Sequence, residues 1–305
     1  MDFFGNLCIP LRNGQTIALQ LAVCGARYQF MKSPLPKTLI TGASSGIGYH
    51  LAREFAAHGH SLVLVAPDED ELQSIADEIA DEYGVPVDVI AVDLRDPGSI
   101  EQIEALADQS IEILVNNAGH GKRGNSWEIS LEDDIAMVKL NIVAVLRLTK
   151  LFLPAMVARG AGRILNTASI AGFEPGPGYA VYSATKAFVL HYSESLATEL
   201  KDTGVTVTAL CPGPTDTDFF LKADMIESRA FQQAQLMAPQ DVAKSGYEAA
   251  MRGDRVIVPG MANKTMVFMR RLIPESLQAK LNELLTSNAP PEKRNRERGD
   301  KEMRA

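Results

Sequence analysis

The chain has 305 residues, which suits one large α/β domain or two small ones, and its composition, 46% hydrophobic and 22% charged, is that of an ordinary globular enzyme. A net charge of −8 argues against a nucleic-acid partner, because binding to phosphate backbones needs a basic face. The three cysteines, Cys8, Cys24 and Cys211, show no metal-ligand spacing and leave one thiol unpaired, so we expect a reducing compartment, the cytoplasm, and no metal site.

Residues 1–36 precede the first predicted strand and form a predicted N-terminal extension. Their longest apolar stretch, residues 16–24, is too short to span a bilayer, and no basic segment leads into it as in a secretory signal. Residues 31–37 make a compact lead into the first strand, as if translation could begin at Met31. We therefore expect the extension to be foreign to the fold that follows it.

Apolar runs with the length of strands alternate with helical stretches along the rest of the chain. The predicted strands are residues 38–40, 62–66, 87–92, 111–115, 163–166, 205–210 and 255–258. Several are unbroken runs of Val, Ile and Leu, as in strands buried on both faces, and helical stretches such as 69–83 and 131–158 lie between them. This alternation predicts the α/β class, as a single Rossmann-like, doubly wound parallel sheet of about seven strands with helices on both faces.

The first predicted strand runs into a glycine-rich turn, Thr41-Gly42-Ala43-Ser44-Ser45-Gly46-Ile47-Gly48, where a helical pattern begins. Glycines let the backbone turn tightly and let N–H groups approach a phosphate, and the start of a helix offers unpaired N–H groups and a positive dipole end. The spacing Gly-x3-Gly-x-Gly differs from the usual Gly-x-Gly-x2-Gly of dinucleotide sites. A tight strand-to-helix turn without a ligand is therefore the alternative interpretation.

Further polar residues follow the later strands. Asp93 comes after the third strand, where its carboxylate could accept from an adenine amino group, and residues 116–119, Asn-Asn-Ala-Gly, close the fourth. Ser169 follows the fifth strand, and Tyr182 and Lys186, at i and i+4, share one face of a helical stretch. Taken singly, these features are as well explained by a helix cap, a plain turn and a surface pair.

Together, and in this order, the motifs resemble the short-chain dehydrogenase/reductase family. The matching residues are Thr41, Gly42, Gly46, Ile47, Gly48, Asp93, Asn116, Asn117, Ala118, Gly119, Asn141, Ser169, Tyr182, Lys186, Pro212, Gly213 and Thr217. The resemblance covers residues 37–260, which we expect to form the catalytic domain. Softer matches in residues 172–177 and 258–263 resemble the bacterial members that act on or near acyl chains.

The resemblance implies an NAD(P)-dependent oxidoreductase that interconverts a ketone and a secondary alcohol. It implies four catalytic residues, namely Asn141, Ser169, Tyr182 and Lys186. It also implies cofactor contacts from Gly42, Ser44, Ser45, Gly46, Ile47, Gly48, Asp93, Leu94, Asn116, Ala118, Gly119, Tyr182, Lys186, Pro212, Gly213, Thr215 and Thr217. Within this set, Lys186 is expected to hold the nicotinamide ribose and Thr217 the carboxamide. Asn141 is expected to hold a water against Lys186 in a proton relay.

The chemistry of the reaction explains why a tyrosine and a lysine belong together. Hydride transfer to or from the carbon must be matched by a proton at the oxygen, so an acid/base is needed there. The pKa of a free tyrosine is about 10, and an ammonium at ~5 Å, at an effective dielectric of ~20, favours phenolate by about 3 kcal/mol, or two pKa units. We therefore expect Lys186 to lower the pKa of Tyr182, and Ser169 to hydrogen-bond the substrate oxygen.

The preference between NAD and NADP stays open in the sequence. Family members that prefer NAD carry an acid at the end of the second strand, where this chain has Ala66. Members that use NADP carry a basic residue nearby, at the position of Pro67 or of Ser45, and neither is basic here. Asp68 would repel a 2′-phosphate, and it could reach the ribose hydroxyls only if its loop bends suitably.

The segments after the sixth strand suggest what the substrate is like. Residues 219–237 carry many large apolar side chains, and they form either a packed helix pair or, within a segment 213–238, a lid over an apolar or acyl-type substrate. Residues 261–289 are predicted to form amphipathic helices split at Pro274, packed on the parent domain or a second subunit, with a membrane surface as the alternative. The charged tail, residues 290–305, is predicted to be disordered.

Two other functions stay open beside the oxidoreductase. A nucleotide-bound regulator or scaffold could keep the fold without turnover. A site that no longer catalyses a reaction would not, however, need Asn141, Ser169, Tyr182 and Lys186 together. The same fold also supports epimerases and dehydratases. We expect a small-molecule carbonyl or alcohol as substrate and a homodimer or homotetramer as the assembly.

Overall fold

A computed structural model describes residues 7–10, 16–19, 36–106, 110–232, 235–270 and 274–290. The chain divides into two units, residues 1–34 and 35–305. In the first unit, strand β1 (Leu7–Pro10) pairs antiparallel with strand β2 (Thr16–Leu19). Most of the predicted extension and, apart from residue 290, the predicted disordered tail lie outside the described residues.

The second unit is built on a seven-stranded parallel sheet in the order β5-β4-β3-β6-β7-β8-β9. Its strands are β3 (Lys37–Thr41), β4 (Ser61–Ala66), β5 (Val87–Ala91), β6 (Ile111–Asn116), β7 (Gly162–Thr167), β8 (Val205–Leu210) and β9 (Val256–Ile257). The strand order reverses between β3 and β6, so the sheet is doubly wound and its switch point lies beside β3. The predicted fold class is confirmed.

Helices cover both faces of this sheet. They are α1 (Gly46–Ala57), α2 (Glu69–Tyr83), α3 (Ser99–Leu106), α4 (Leu131–Val138), α5 (Ala144–Arg159), α6 (Ala180–Glu199), α7 (Phe219–Lys222), α8 (Arg229–Gln232), α9 (Pro239–Arg252), α10 (Met261–Arg270) and α11 (Glu275–Thr286). One core cluster joins α1, α2 and α9 to the sheet, and another joins α3, α5 and α6 to its opposite face. Both faces of the strands are therefore buried, which explains their unbroken apolar sequences.

The helix predicted over residues 131–158 is not a regular α-helix, and this prediction needs correction. A π-helical turn, Lys139–Val143, separates α4 from α5 and holds the buried Asn141. The whole stretch Leu131–Arg159 is long and apolar enough to cross a membrane by length and composition. The side chains of Phe152 and Met156 are nevertheless buried in the core, and core helices commonly meet the same criterion.

Of the two C-terminal helices, α10 ends at Arg270 and α11 has Pro274 as its N-cap. They contact the loop that leads from β7 to α6. The side-chain amide of Asn282 donates to the Pro175 carbonyl at 2.8 Å, and the Thr286 hydroxyl donates to the Pro177 carbonyl at 2.9 Å. Both bonds come from α11, and they attach this helix to the part of the chain that lies between Ser169 and Tyr182.

Candidate active site

A cavity of about 760 Å³ lies at the carboxyl ends of the parallel strands, beside the switch point of the sheet. Most of the predicted site residues line it, namely Gly42, Ser44, Ser45, Gly46, Ile47, Asp93, Leu94, Ala118, Gly119, Ser169, Tyr182, Lys186, Pro212, Gly213, Thr215 and Thr217. Gly48, Asn116 and Asn141 are not among the lining residues. Loops after five different strands, β3, β5, β6, β7 and β8, therefore bring these residues to one site.

The glycine-rich turn packs closely against two other loops of the site. Gly42 has a φ of +66°, and a Cβ there would lie 2.9 Å from the Ala118 Cα. Gly46 has a φ of +53°, and a Cβ there would lie 3.1 Å from the Thr217 Cγ2. The missing side chains leave backbone and the start of α1 facing the cavity, which is the cradle that a pyrophosphate group requires.

Gly48 has a supporting position in this turn. A Cβ there would run into the Gly42 carbonyl and the side-chain amide of Asn117. Since Gly48 does not line the cavity, its geometry indicates that it allows α1 to pack against the turn rather than that it contacts a ligand.

The two asparagines that close β6 have different surroundings. Asn116 is buried behind the cavity, and its amide donates to the Asn166 side chain at 2.8 Å. Asn117 does line the cavity, and its amide donates to the Thr41 carbonyl at 3.1 Å. Asn117 was not among the predicted cofactor contacts, although it belongs to the motif. Successive side chains of a strand point to opposite faces, which explains why Asn116 and Asn117 face opposite ways.

Asp93 lies at the end of the cavity formed by the loops after β4 and β5. Its carboxylate accepts from the Arg95 guanidinium, with the Nη2–Oδ2 distance at 2.5 Å, and these hydrogen bonds lower the pKa of Asp93. Arg95 lines the cavity as well and was not predicted from the sequence. The expected contact with adenine would therefore use a carboxylate that is already paired.

The end of β4 holds the residues expected to discriminate between the two cofactors. Ala66 and Pro67 line the cavity, and Asp68 does not. The Asp68 carboxylate instead caps α2 and accepts from the backbone N–H of Glu71 at 2.9 Å. Its side chain is thus engaged in the helix cap and does not face the cavity.

Ser169 and Tyr182 come together at the wall of the cavity, although thirteen residues separate them in the sequence. The Ser169 side chain favours a lower pKa of Tyr182. Burial has the larger effect, and it raises the pKa of Tyr182 to about 12. The Tyr182 ring also lies near the Phe219 ring, with centroids 5.3 Å apart.

Lys186 is buried one helical turn further along α6. Its Nζ donates to the Thr167 carbonyl at 2.8 Å and lies 5.9 Å from the centroid of the Tyr182 ring. Burial lowers the pKa of Lys186 to about 8. The predicted net lowering of the pKa of Tyr182 needs correction, because desolvation is the largest influence on this group and raises its pKa instead.

Asn141 lies behind the cavity wall, next to Lys186. Its amide donates to the His120 carbonyl and to the Thr185 hydroxyl, each at 2.9 Å, and its oxygen accepts from the His120 N–H at 3.1 Å. A Cβ on Gly119 would lie 3.1 Å from the Asn141 Oδ1 and 3.2 Å from the Lys186 Nζ. Asn141 and Lys186 therefore approach the same glycine from two helices, and the π-helical turn gives Asn141 its place.

The end of the cavity beyond Tyr182 is formed by the predicted lid segment and by the C-terminal helices. The apolar segment predicted to be a helix pair or a lid forms α7 and α8, with Phe220, Met225 and Phe231 packed together. Residues of α10 and α11 also line the cavity there, including Met266 and Leu285. The C-terminal helices are thus part of the cavity wall.

The match to known proteins agrees with this geometry. A family model described as short chain dehydrogenase matches residues 37–225. The chain belongs to the short-chain dehydrogenase family. The oxidoreductase UcpA of Salmonella typhimurium is 38% identical over 198 residues, which are 64% of this chain and 72% of that protein. The very-long-chain 3-oxoacyl-CoA reductase of Bos taurus is 37% identical over 179 residues, which are 57% of each chain.

A solved structure extends the comparison to nearly the whole described fold. The short-chain dehydrogenase from Sphingobium yanoikuyae in complex with NADPH has a TM-score of 0.71 and 33% sequence identity, and the match covers 85% of this chain and 100% of that one. The protein is therefore an NAD(P)-dependent oxidoreductase that acts on CH–OH groups of small molecules. The comparisons leave the preference between NAD and NADP unresolved.

Proposed function

We propose that this short-chain dehydrogenase interconverts a ketone and a secondary alcohol, with Tyr182 as the acid/base. The observation that carries the proposal is that Ser169, Tyr182 and Lys186 line one cavity, with the Lys186 ammonium 5.9 Å from the centroid of the Tyr182 ring. The nicotinamide cofactor supplies or accepts the hydride when it is bound. The protein's own residues supply the proton and hold the reacting oxygen.

Each residue has a separate task in the proposed reduction. Tyr182 is protonated near neutral pH and donates its proton to the carbonyl oxygen as the alcohol forms. Ser169 donates a hydrogen bond to the same oxygen while negative charge develops on it. Lys186 keeps its own charge at neutral pH and stabilises the phenolate form of Tyr182 once the proton has been donated. Asn141 holds the water through which the proton of Tyr182 is replaced.

The proposed cofactor contacts follow the lining of the cavity. The turn from Gly42 to Ile47 would hold the pyrophosphate, and residues 212–217 the carboxamide. The Asp93 carboxylate, with Leu94, would face the adenine, and Lys186 would hold the nicotinamide ribose. Gly48 and Asn116 support these loops from behind, and we add Asn117 to the residues facing the cofactor.

An apolar or acyl-type substrate is proposed from the far end of the cavity. Phe219, Phe220 and Met225 from the proposed lid, and Met266 and Leu285 from the C-terminal helices, line that end. Burial of such side chains against an apolar substrate is favourable by roughly 25 cal/mol per Å². One relative, the Bos taurus enzyme, is named as a reductase of very-long-chain 3-oxoacyl-CoA.

We also propose a cytoplasmic homodimer or homotetramer. Large apolar side chains are exposed along α4 and α5, among them Leu131, Ile135, Val143 and Val157, and such patches support association between copies. Light scattering on the purified chain measures the assembly directly.

A scaffold without turnover has no comparable support, because Ser169, Tyr182 and Lys186 line one cavity.

The test of the proposed function is a screen of ketones and 3-oxoacyl thioesters with NADH and NADPH, following cofactor absorbance. We expect reduction of at least one apolar ketone and oxidation of the matching secondary alcohol. Binding of NADH or NADPH without turnover of any carbonyl compound would favour the scaffold. Turnover of a sugar nucleotide with no net change in cofactor absorbance would favour an epimerase instead.

A further inference from the structure

A buried ion pair lies at the substrate end of the cavity. Arg270, the last residue of α10, contacts through its Nη1 the Oε1 of Glu174, which lies in the loop between Ser169 and Tyr182. The Glu174 side chain is 3% exposed and the Arg270 side chain 12%. Both residues line the cavity. A charge pair in such a place needs an explanation, because the side chains around it are largely apolar.

The pair does not satisfy its own hydrogen-bonding groups. The second carboxylate oxygen, Glu174 Oε2, is buried and has no hydrogen-bond partner among the described residues. Besides Glu174, Arg270 donates from Nη2 to the Asn282 Oδ1 at 3.3 Å, and a guanidinium has five N–H donors. Burial raises the pKa of Glu174 and lowers that of Arg270, so neither charge is well compensated. Unpartnered buried polar atoms are costly and point to a missing partner.

Stability alone does not account for the pair. A buried ion pair is often no more stabilising than two apolar side chains of similar volume, because both charges lose their water. Helix α11 is attached to the loop by the Asn282–Pro175 and Thr286–Pro177 hydrogen bonds, and the Gln278 side chain of α11 donates to the Arg270 carbonyl of α10 at 2.8 Å. The pair is therefore not needed to hold these elements together, and its position in the cavity wall suggests recognition of a ligand.

The neighbouring groups limit what that ligand group can be. Tyr179 and Asn282 also line this end, but the Asn282 amide donates to the Pro175 carbonyl. A carboxylate would be attracted by Arg270 and repelled by Glu174. An ammonium group would be attracted by Glu174 and repelled by Arg270. A hydroxyl group can donate to the carboxylate and accept from the guanidinium at the same time. The carboxylate must turn toward the cavity for this contact, since Oε2 is covered in the structure.

We propose that Glu174 and Arg270 bind a hydroxyl group of the substrate, remote from the reacting carbonyl, so that the substrate is a hydroxylated ketone with an apolar body. The inference rests on the proposed function, in which Ser169 and Tyr182 hold the carbonyl. It narrows the substrate class from apolar ketones in general to those with a polar group at the far end.

The experiment uses methyl ketones of increasing chain length, each with a terminal methyl, hydroxyl or carboxylate group. Binding is measured by calorimetry with the full chain and saturating oxidised cofactor, NAD⁺ and NADP⁺ in turn, so that no ketone is reduced. Turnover is measured separately with NADH and NADPH. At the best length, we expect the hydroxyl-terminated ketone to bind about tenfold more tightly than the other two.

The matched variant replaces the whole pair, as Glu174→Met with Arg270→Met, because removing one partner would leave a buried charge unpaired. It should keep its affinity for the methyl-terminated ketones and lose the preference for the hydroxyl. The control variant, Glu101→Met with Arg147→Met, removes an ion pair outside the cavity wall and should keep the preference.

Equal affinity of the unaltered protein for the three end groups would overturn the inference, as would a preference for the carboxylate, and neither result depends on whether the variant folds. A folded double variant that keeps the hydroxyl preference would overturn it too. Binding without reduction of any ketone would contradict the proposed function, while the affinity ratios still decide this inference.

Discussion

At the scale of single residues, burial sets the protonation state of the reacting groups. It raises the pKa of Tyr182 to about 12 and lowers that of Lys186 to about 8. Near neutral pH, Tyr182 therefore carries its proton and Lys186 its charge, which is the arrangement that reduction of a ketone requires. In the opposite direction Tyr182 must first lose its proton, so oxidation of an alcohol should be favoured by a higher pH.

These pKa values predict different pH profiles for the two directions. For ketone reduction, kcat/KM should be flat from pH 6 to 7 and fall above about pH 8, since Lys186 loses the charge that stabilises the phenolate. For alcohol oxidation, kcat/KM should rise through neutral pH as proton loss becomes easier. Steady-state rates in buffers of constant ionic strength measure both profiles. A reduction rate that does not change up to pH 10 would contradict the role of Lys186.

The hydroxyl of Tyr182 gives the second prediction at this scale. Tyr182→Phe should lower kcat by about a hundredfold or more, because the hydroxyl that transfers the proton is removed, and should change cofactor affinity by only a few-fold. Tyr192→Phe is the matched control, since Tyr192 lies on the same helix outside the cavity wall. Cofactor fluorescence titration and single-turnover kinetics measure the two quantities. A Phe variant with more than about a tenth of the original turnover would refute the assignment.

The sequence predicted those site residues that belong to local motifs. Tyr182 and Lys186 share a helix turn, and Gly42 and Gly46 share a loop, so the members of each pair are close in space because they are close in sequence. Arg270 could not be predicted, because its position depends on how α10 packs on a loop far away in the sequence. The protonation states were also beyond the sequence, since they depend on burial, which only the folded chain defines.

At the scale of elements, the turn between β3 and α1 tolerates no side chain at Gly48. Gly48→Ala should destabilise the fold by about 1–3 kcal/mol and weaken cofactor binding, because the new methyl would displace the Gly42 carbonyl and the Asn117 amide. Gly98→Ala is the control, as nothing lies within 4 Å of a Cβ there. Urea unfolding compares the two variants. Equal stability of the Gly48→Ala and Gly98→Ala variants would mean that the turn has more space for a Cβ at residue 48 than the structure shows.

The loop after β4 gives a prediction about cofactor preference. If Pro67 faces the adenosine ribose, Pro67→Arg should favour NADPH over NADH by roughly 1.5–3 kcal/mol, or about ten- to a hundredfold. Asp68→Ser in the same background should enlarge the shift by removing a negative charge, and serine can still cap α2. The ratio of kcat/KM values for the two cofactors is measured at one salt concentration. An unchanged ratio in both variants would place the ribose elsewhere.

The strands could largely be predicted from the sequence, and the π-helical turn that interrupts a predicted helix could not. All seven strands of the parallel sheet lie at the apolar runs of the sequence, because strands buried on both faces need continuous apolar residues. The π-helical turn at Lys139–Val143 has no such signal, since its residues fit a regular helix equally well. It is the contact of Asn141 with His120 and Thr185 that distinguishes this turn, and that contact is tertiary.

At the scale of the whole molecule, the site is assembled by one unit of the chain. Residues 35–305 contain the seven-stranded sheet and the lining of the cavity, from the turn at Gly42 to Leu285 of α11. The C-terminal helices close the substrate end, so that end depends on residues outside the span 37–225 matched by the family model. Residues inside the matched span, such as Phe219, and residues outside it, such as Leu285, thus line the substrate end together.

This division predicts that residues 1–30 are dispensable for folding and activity. A chain that begins at Met31 keeps every strand of the parallel sheet and every lining residue of the cavity. It should be soluble, with nearly the same melting temperature and kcat/KM as the full chain, measured by calorimetry and with the best substrate of the ketone screen. A chain shortened instead before α10 is the comparison, and it should lose the substrate end of the cavity. A drop of about ten degrees in the Met31 chain, which corresponds to roughly 3 kcal/mol, would mean that the first 30 residues stabilise the catalytic unit.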